Sequence, residues 1–459
     1  MTLFAPGDPR PVHFMGIGGA GMSALALLAR QRGVPVSGCD NDTSGAADIA
    51  AMGGTVWQGH DPQHVRGVRA VVVTAAVPTT HPELARAREL GLPVVRRADA
   101  LGEVVNGSTV VAVAGTHGKT TTTVMTTEAL TAAGLDPTGL AGGRVAAWHG
   151  NARIGGTDLY VVEADEFDQS FLSLAPTVAI VNNVEADHLE CYEGSLEVLE
   201  RAFVRFASGA RRAVVGADDI GAQRVGAALA APVWWVGTGP KADVRITEMT
   251  LDTTGSRARV TLPGRAAVPL ALRVPGLHNL RNAAAALAAV HELQGDVDRA
   301  AQALNQFTGV ARRFERVGES GSVTVVDDYA HHPSEVKATL AAARQAFPGR
   351  RLVAVFQPHL YSRTALHGAA LGTALAAADQ VIVAPIYAAR EAPLPGVTAA
   401  LVADGAAAAG AKPILVADRA GLTDAVARAV RAGDVVLTLG AGDVTHVGPE
   451  LLQRLGKGS

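Results

Sequence analysis

The stretch Thr109–Thr123, TVVAVAGTHGKTTTT, constrains this chain more than any other. The β-branched apolar run Val110–Val113 reads as a strand, and Gly115-Thr116-His117-Gly118-Lys119-Thr120 as a tight loop. The threonines that follow, Thr121 among them, open a helix. Strand, glycine loop and helix start together cradle phosphate, because backbone N–H groups and the positive helix end face the anion. Lys119 reaches the β- and γ-phosphates of a nucleotide in such a loop, and the Thr120 hydroxyl ligates Mg²⁺. Two residues, where the common P-loop has four, separate Gly115 from the Gly118-Lys119 pair, which sets the loop apart from the usual kinase or GTPase pattern. ATP is the expected ligand.

The 459 residues suggest about three domains. Hydrophobic content of 48% with 18% charged residues fits a soluble globular chain and excludes disorder. A net charge of −3, with no basic patch interleaved with aromatics, argues against a nucleic-acid partner. Cys39 and Cys191 are the only cysteines, so neither a disulfide framework nor a cysteine zinc cluster is expected. Met1–Pro11 has no signal-peptide pattern and no apolar run reaches ~18 residues, so a cytoplasmic protein without membrane insertion is expected.

In chain order, the apolar strand Pro11–Met15 leads into Gly16-Ile17-Gly18-Gly19-Ala20-Gly21, a GxGxxG pattern, and then a helix from Met22 to Arg30. A second strand, Val34–Gly38, ends at Cys39-Asp40, with Asp40 placed 19 residues beyond Gly21, where an acidic group meets a ribose hydroxyl in a dinucleotide fold. Strands Ala70–Thr74 and Pro93–Val95, the latter followed by two arginines, complete a doubly wound domain over residues 1–107. The phosphate-loop strand opens a second domain, 108–312. Its glycine-rich segment Leu140–Gly156, with Asn151 and Arg153, reads as a substrate-facing loop. Strand Asp158–Val162 delivers Glu163 to the place where a phosphate-bound cation is held, while Asp165, Glu166 and Asp168 each read as solvated acidic residues. Strand Val178–Asn182 delivers Glu185 to His188 in the same way, with His188 a candidate metal ligand. Asp243–Val274 alternates like antiparallel strands, and a helix is expected over Asn282–Leu293, with Asn279 and Asn282 at its start. A third α/β unit, 313–459, brings Asp328, Tyr329, His331, His359 and Arg363 to strand ends, as a small polar substrate requires.

GTHGKTTTT at 115–123, EADE at 163–166, NVEADH at 183–188, HNLRNA at 278–283 and DDYAHHP at 327–333 together resemble the Mur ligases, ATP-dependent enzymes that add amino acids to UDP-N-acetylmuramic acid in peptidoglycan synthesis. HFMGIGGAGMS at 13–23, FQPHLYSR at 356–363 and YAAREAPLPG at 387–396 resemble the alanine-adding branch. The resemblance implies three α/β domains: Rossmann-like, then a mainly parallel ATPase sheet with added antiparallel strands, then Rossmann-like again. It implies that the first glycine loop holds a uridine diphosphate rather than a nicotinamide dinucleotide. On that reading Gly16, Gly18, Gly19, Gly21, Met22, Ser23, Asp40, Thr74, Asn151 and Arg153 serve the UDP-sugar. Gly115 to Thr121, Asn279, Asn282, Arg313 and Asp328 serve ATP, and Thr120, Glu163 and His188 serve Mg²⁺. Tyr329, His331, His359 and Arg363 receive L-alanine, and Lys119, Glu163, His188 and Arg313 carry the catalysis. The implied reaction joins L-alanine to the lactyl carboxylate of UDP-N-acetylmuramate through an acyl phosphate, in a monomer or homodimer whose outer domains close on the core.

Two departures from the family pattern stand out. Sister ligases carry a carbamylated lysine roughly fifteen residues after the metal histidine, whereas His188–Phe206 has no lysine and position 203 is Phe. The family usually has arginine where this chain has Leu360, leaving Arg363 to recognise the alanine carboxylate. The rival readings are a recycling ligase that attaches a tripeptide to the same sugar, a nicotinamide-dependent oxidoreductase built on GxGxxG and Asp40, and a non-catalytic nucleotide-binding regulator.

Overall fold

The computed structural model describes residues 3–5, 7–74, 77–389 and 391–457. Met1, Thr2 and Pro6 of the segment Met1–Pro11 and Arg390 of YAAREAPLPG lie outside the described residues. The chain is α/β throughout and builds three sheets. Two compact units contain them: Met1–Glu248 with Ala258–Leu270 and Arg281–Gln306, and Met249–Arg257 with Ala271–Leu280 and Phe307–Ser459.

In the first unit, the N-terminal sheet is parallel and runs in the order Thr55–Gln58, Val36–Asp40, Val12–Met15, Ala70–Val73, Val94–Arg96. The order reverses beside Val12–Met15, so the glycine loop that follows this strand sits at the topological switch point, where such sheets bind ligands. Thr55–Gln58 is absent from the sequence reading. It is a short edge strand, half exposed and framed by Gly53, Gly54 and Gly59, so it carries no apolar run to betray it.

The central sheet places Thr109–Ala114 between Val178–Val181 and Leu159–Glu163, all parallel. From Val110 to Ala114 this strand is fully buried, the pattern of a parallel strand covered on both faces. Leu140–Gly156 is not a loop: Thr138–Val145 and Gly150–Arg153 form an antiparallel pair at the sheet edge, and the helix Ala20–Gln31 packs on both. At the other edge, Val244–Asp252 and Gly255–Thr261 are joined by two residues, a connection that can only return antiparallel. The helix expected from Asn282 begins at Leu277, so Asn279 and Asn282 lie inside its first two turns rather than at its cap.

The sheet of the second unit runs Glu315–Ser320, Val323–Asp328, Val435–Leu439, Leu352–Phe356, Gln380–Val383, Ile414–Leu415, parallel except for its first pair. Pro333 opens the helix Pro333–Ala346 at the position where a missing N–H is harmless.

Helix Leu196–Ala207 shows how core and function meet. Ser195 caps it by accepting from the Val198 N–H at 3.3 Å. Leu199, Ala202, Phe203 and Phe206 then recur on one face. Phe203, fully buried, meets Phe171 edge-on at 5.1 Å, while Phe206 stacks on the same ring at 5.0 Å. Position 203 is therefore packed hydrocarbon, with no opening for a charged side chain. Phe203→Ala is expected to destabilise the protein by about 3–5 kcal/mol. Thermal unfolding of the two proteins checks this, and an unchanged midpoint would refute the packing role.

Candidate active site

The phosphate loop follows directly from the central strand. Gly118 adopts φ 79° at the start of helix Lys119–Ala132, and a side chain there would press on Asn282 Oδ1 at 3.0 Å and Asn182 Nδ2 at 3.2 Å. Only glycine suits both the backbone and the space. The neighbouring strand end braces the loop from behind. Thr116 N–H donates to the Asn183 carbonyl at 3.1 Å and His117 N–H to Asn183 Oδ1 at 2.7 Å. Asn182 Nδ2 donates to Thr122 Oγ1 at 3.0 Å and to the His117 carbonyl at 3.3 Å. Sequence reading passed over Asn182 and Asn183, whose work is to point the loop's remaining amides outward.

Lys119 does not lie open to solvent. Its Nζ donates to Glu166 at 2.7 and 2.9 Å and to the Gly115 carbonyl at 2.8 Å. Glu166 is only 2% exposed, so its reading as a solvated acidic residue is corrected: it is the buried counter-ion of the loop lysine. Burial by itself would lower the Lys119 pKa, but Glu166, Asp165 and Glu163 outweigh it and hold the ammonium above the ordinary lysine range. Burial raises Glu166, with Lys119 opposing and Asp165 adding to the rise.

Thr120 Oγ1 donates to Glu163 Oε1 at 3.1 Å, and Gly142 N–H holds the other Glu163 oxygen at 2.7 Å. A hydroxyl and a carboxylate side by side are hard oxygen donors that fit Mg²⁺. His188 has φ 53°, and its ring packs edge-on against Phe167 at 5.0 Å with Nδ1 3.4 Å from Glu190. Glu190 thus orients the imidazole through Nδ1.

The N-terminal glycine loop and Glu163 share one cavity of about 300 Å³. Gly19, Gly21, Met22, Thr74 and Arg97 line it, together with Gly142, Glu163 and Asp165. A side chain at Gly21 would stand 2.9 Å from the Arg97 guanidinium, so glycine lets that cation lie against the helix start. A helix N-terminus with an arginine beside it suits a diphosphate. Arg97 directly follows the strand Val94–Arg96; its neighbour Arg96 instead pairs with Asp99 at 2.8 Å. Among the residues read as UDP-sugar contacts, Asp40 ties the loop internally, accepting from Gly18 N–H at 2.9 Å, and Gly16 N–H donates to the Cys39 carbonyl at 2.8 Å. Ser23, Asn151 and Arg153 are not brought to this cavity. Asn151 Nδ2 donates to Ser23 Oγ at 3.1 Å, which fastens the strand Gly150–Arg153 to the first helix, and Arg153 pairs with Asp136 at 3.2 Å.

In the second unit, Asp328 ends its strand fully hydrogen-bonded, accepting from Phe314 and Ala330 N–H groups at 2.8 Å each. Burial pushes its pKa up from 3.8 to about 6, with the Arg313 charge opposing. Arg312 pairs with Asp327 at 3.1 Å and Arg313 approaches Glu335 at 4.0 Å, and both guanidinium groups lie over the Tyr329 ring, at 4.9 and 5.1 Å. Tyr329 meets His331 edge-on at 5.2 Å, His331 approaches His359 at 6.1 Å, and His359 stacks on Tyr387 at 5.9 Å. His331 Nδ1 lies 2.9 Å from the Tyr329 carbonyl, an acceptor only, so Nδ1 carries a proton. Arg363 is buried in the first turn of helix Tyr361–Leu375. Leu360 precedes it at φ 65°, its N–H donating to the Tyr387 carbonyl at 3.0 Å. Asn279 Nδ2 is engaged by the Pro275 carbonyl at 2.8 Å.

Two outcomes follow from these charges. Glu166→Gln leaves Lys119 buried beside a neutral amide and is expected to destabilise the ligand-free protein by about 3–5 kcal/mol. Denaturant unfolding with and without ATP checks this; equal stability of mutant and parent would overturn the pairing. Asp328 binds its proton more tightly folded than unfolded, so its contribution to stability is full below pH 3.8 and is lost as pH rises through about 6. Ligand-free Asp328→Asn is expected to lose that slope, as thermal unfolding across this range would reveal.

Comparison with known proteins bears on this geometry. Residues 11–109 match the Mur ligase family catalytic domain, 113–290 the Mur ligase middle domain and 312–442 the Mur ligase glutamate ligase domain. The chain is 44% identical over 461 residues to the UDP-N-acetylmuramate–L-alanine ligase of Cutibacterium acnes, covering 98% of this chain and 97% of that protein. The crystal structure of the UDP-N-acetylmuramate–alanine ligase of Thermotoga maritima superposes with a TM-score of 0.83 at 28% identity, covering 98% of this chain and all of that one. For the murein peptide ligase of Psychrobacter arcticus the TM-score is 0.74 at 25% identity, covering 97% and 99%. With three matching domains in order and this identity sustained along its length, the chain belongs to the Mur ligase family.

Proposed function

We propose that this enzyme joins L-alanine to the lactyl carboxylate of UDP-N-acetylmuramate, converting ATP to ADP and phosphate, as a step of peptidoglycan precursor synthesis. The observation that carries the proposal is the shared cavity. It begins at a helix N-terminus with Arg97, where a nucleotide-sugar diphosphate fits, and ends at Glu163, which is hydrogen-bonded to Thr120 of the phosphate loop. A sugar held at the first end presents its lactyl arm to the second.

A carboxylate oxygen attacks the γ-phosphorus, the bond to the β,γ-bridging oxygen breaks, and ADP departs, leaving an acyl phosphate. The alanine nitrogen then attacks the acyl carbon, the carbon–oxygen bond to phosphate breaks, and the amine gives up a proton. Both partners of the first step are anions, so fixed cations dominate the catalysis. Lys119 supplies one: entry of the triphosphate draws it from Glu166, whose raised proton affinity eases that exchange. Thr120 and Glu163 would hold Mg²⁺, which supplies charge neutralisation at the phosphates, and His188 is proposed to serve a second metal position. In the second unit, Arg363 receives the alanine carboxylate, and His331 is proposed to accept the amine proton. The substrates are metabolites of the cytoplasm, where the enzyme is proposed to act; among the described residues no helix is long and apolar enough to cross a membrane.

The test is phosphate release from Mg·ATP with UDP-N-acetylmuramate, adding L-alanine, glycine, L-serine or the recycled tripeptide one at a time. Release is expected with L-alanine and to fall by on the order of 10²–10³ or more in Lys119→Ala. Release with the tripeptide alone would move the enzyme to the recycling branch. Silence with every amine would refute the ligase reading.

A further inference from the structure

On the face of the N-terminal sheet opposite the first helix, four side chains from four separate elements meet around the Cys39 thiol. His13 comes from the first strand and Cys39 from the second. His60 comes from the loop after the third, and Glu83 from the first turn of helix Pro82–Glu89. Cys39 Sγ lies 3.5 Å from His13 Nε2, 3.3 Å from His60 Nδ1, and 3.1 and 3.3 Å from the two Glu83 oxygens. His60 Nδ1 is 3.3 Å from Glu83 Oε2. None of these groups has a task in the ligase chemistry above.

We propose that His13, Cys39, His60 and Glu83 form a binding site for one tetrahedral divalent transition-metal ion of the zinc class. Bonds of about 2.3 Å to sulfur and about 2.0–2.1 Å to nitrogen and oxygen at tetrahedral angles separate the donor atoms by about 3.3–3.6 Å. The spacings from Cys39 Sγ to the other three side chains and from His60 to Glu83, 3.1–3.5 Å, are close to these, and the donor atoms of His13, Cys39 and Glu83 all lie within 4.8 Å of one another. Thiolate with imidazole selects zinc or cobalt over magnesium. The completely buried Glu83 adds a carboxylate oxygen as the fourth donor.

The surrounding groups orient the donors as metal sites require. His13 Nδ1 is engaged by Ser37 Oγ at 3.1 Å, which leaves Nε2 turned toward Cys39. Glu83 Oε1 accepts from Asp61 N–H at 3.0 Å and lies 2.8 Å from His64 Nδ1, so Oε2 remains toward the site. His64 is itself clamped by a stacked Trp57 at 4.4 Å. His81 stands edge-on to His60 at 4.7 Å and is a reserve donor. On binding, the Cys39 thiol proton passes to solvent and a sulfur–metal bond replaces it. The ion would staple together the first two strands, the loop after the third and the helix Pro82–Glu89. The Cys39 carbonyl also accepts from Gly16 and Ile17 N–H groups at 2.8 and 3.2 Å, so this staple would brace the glycine loop from beneath.

The test uses the full chain, stripped with a chelator and titrated with Co²⁺ in excess Mg²⁺, which blocks oxygen-rich sites. One equivalent of Co²⁺ is expected to bind with a thiolate-to-cobalt charge-transfer band in the near ultraviolet, and Zn²⁺ is expected to displace it. Cys39→Ser abolishes the band, while Cys191→Ser keeps it. His60→Ala removes a donor at the rim, where folding is least disturbed, and weakens binding at least about tenfold; His64→Ala weakens it by about 10–100-fold. Absence of the band in the parent protein, its survival in Cys39→Ser, or unchanged affinity in His60→Ala would each overturn the site.

Discussion

A parallel strand buried on both faces has one place to do chemistry, its carboxyl end, and this constraint organises the protein. Thr109–Ala114 is covered along nearly its whole length, so its only outlet is the loop that follows it. The strands beside it end at the same level, delivering Glu163 from one side and Asn182 and Asn183 from the other. The N-terminal sheet obeys the same rule with its own glycine loop, and the third sheet with Asp328 and His359. Each sheet thus presents polar groups at the carboxyl ends of its strands.

Electrostatics decide the resting state of the phosphate loop. An ammonium buried without a partner is expensive, and Lys119 meets that demand with Glu166, which is itself too buried to stand alone. The arrangement keeps the loop neutral before a triphosphate arrives and gives the incoming anion a carboxylate to displace. Tyr192 reinforces it by donating its hydroxyl to the Glu166 carbonyl. Asp328 follows a related logic in the second unit: two amide donors and a nearby guanidinium hold a carboxylate that burial would otherwise neutralise.

Much of this was legible in the chain because local rules govern it. The glycine loops, the alternation of strand and helix, Lys119, Thr120 and Glu163 follow from spacing and strand ends. Three structural readings were corrected for reasons spacing cannot contain. Glu166 looked solvated because acidic neighbours usually are; in the fold it is buried against Lys119, 47 residues away in the chain. Leu140–Gly156 looked like a loop because its glycines mask an edge pair. Asn279 and Asn282 read as the start of a helix from Asn282, but the helix starts at Leu277.

The sequence by itself determined the family, the α/β class and the residues of the phosphate loop, because each rests on contacts within a few residues. Only the tertiary structure decided which charges meet: that Lys119 rests on Glu166, that Arg97 rather than Arg96 or Arg153 reaches the cavity, and that His13, Cys39, His60 and Glu83 converge. Those partners lie tens of residues apart, and packing, not periodicity, sets the distance between them.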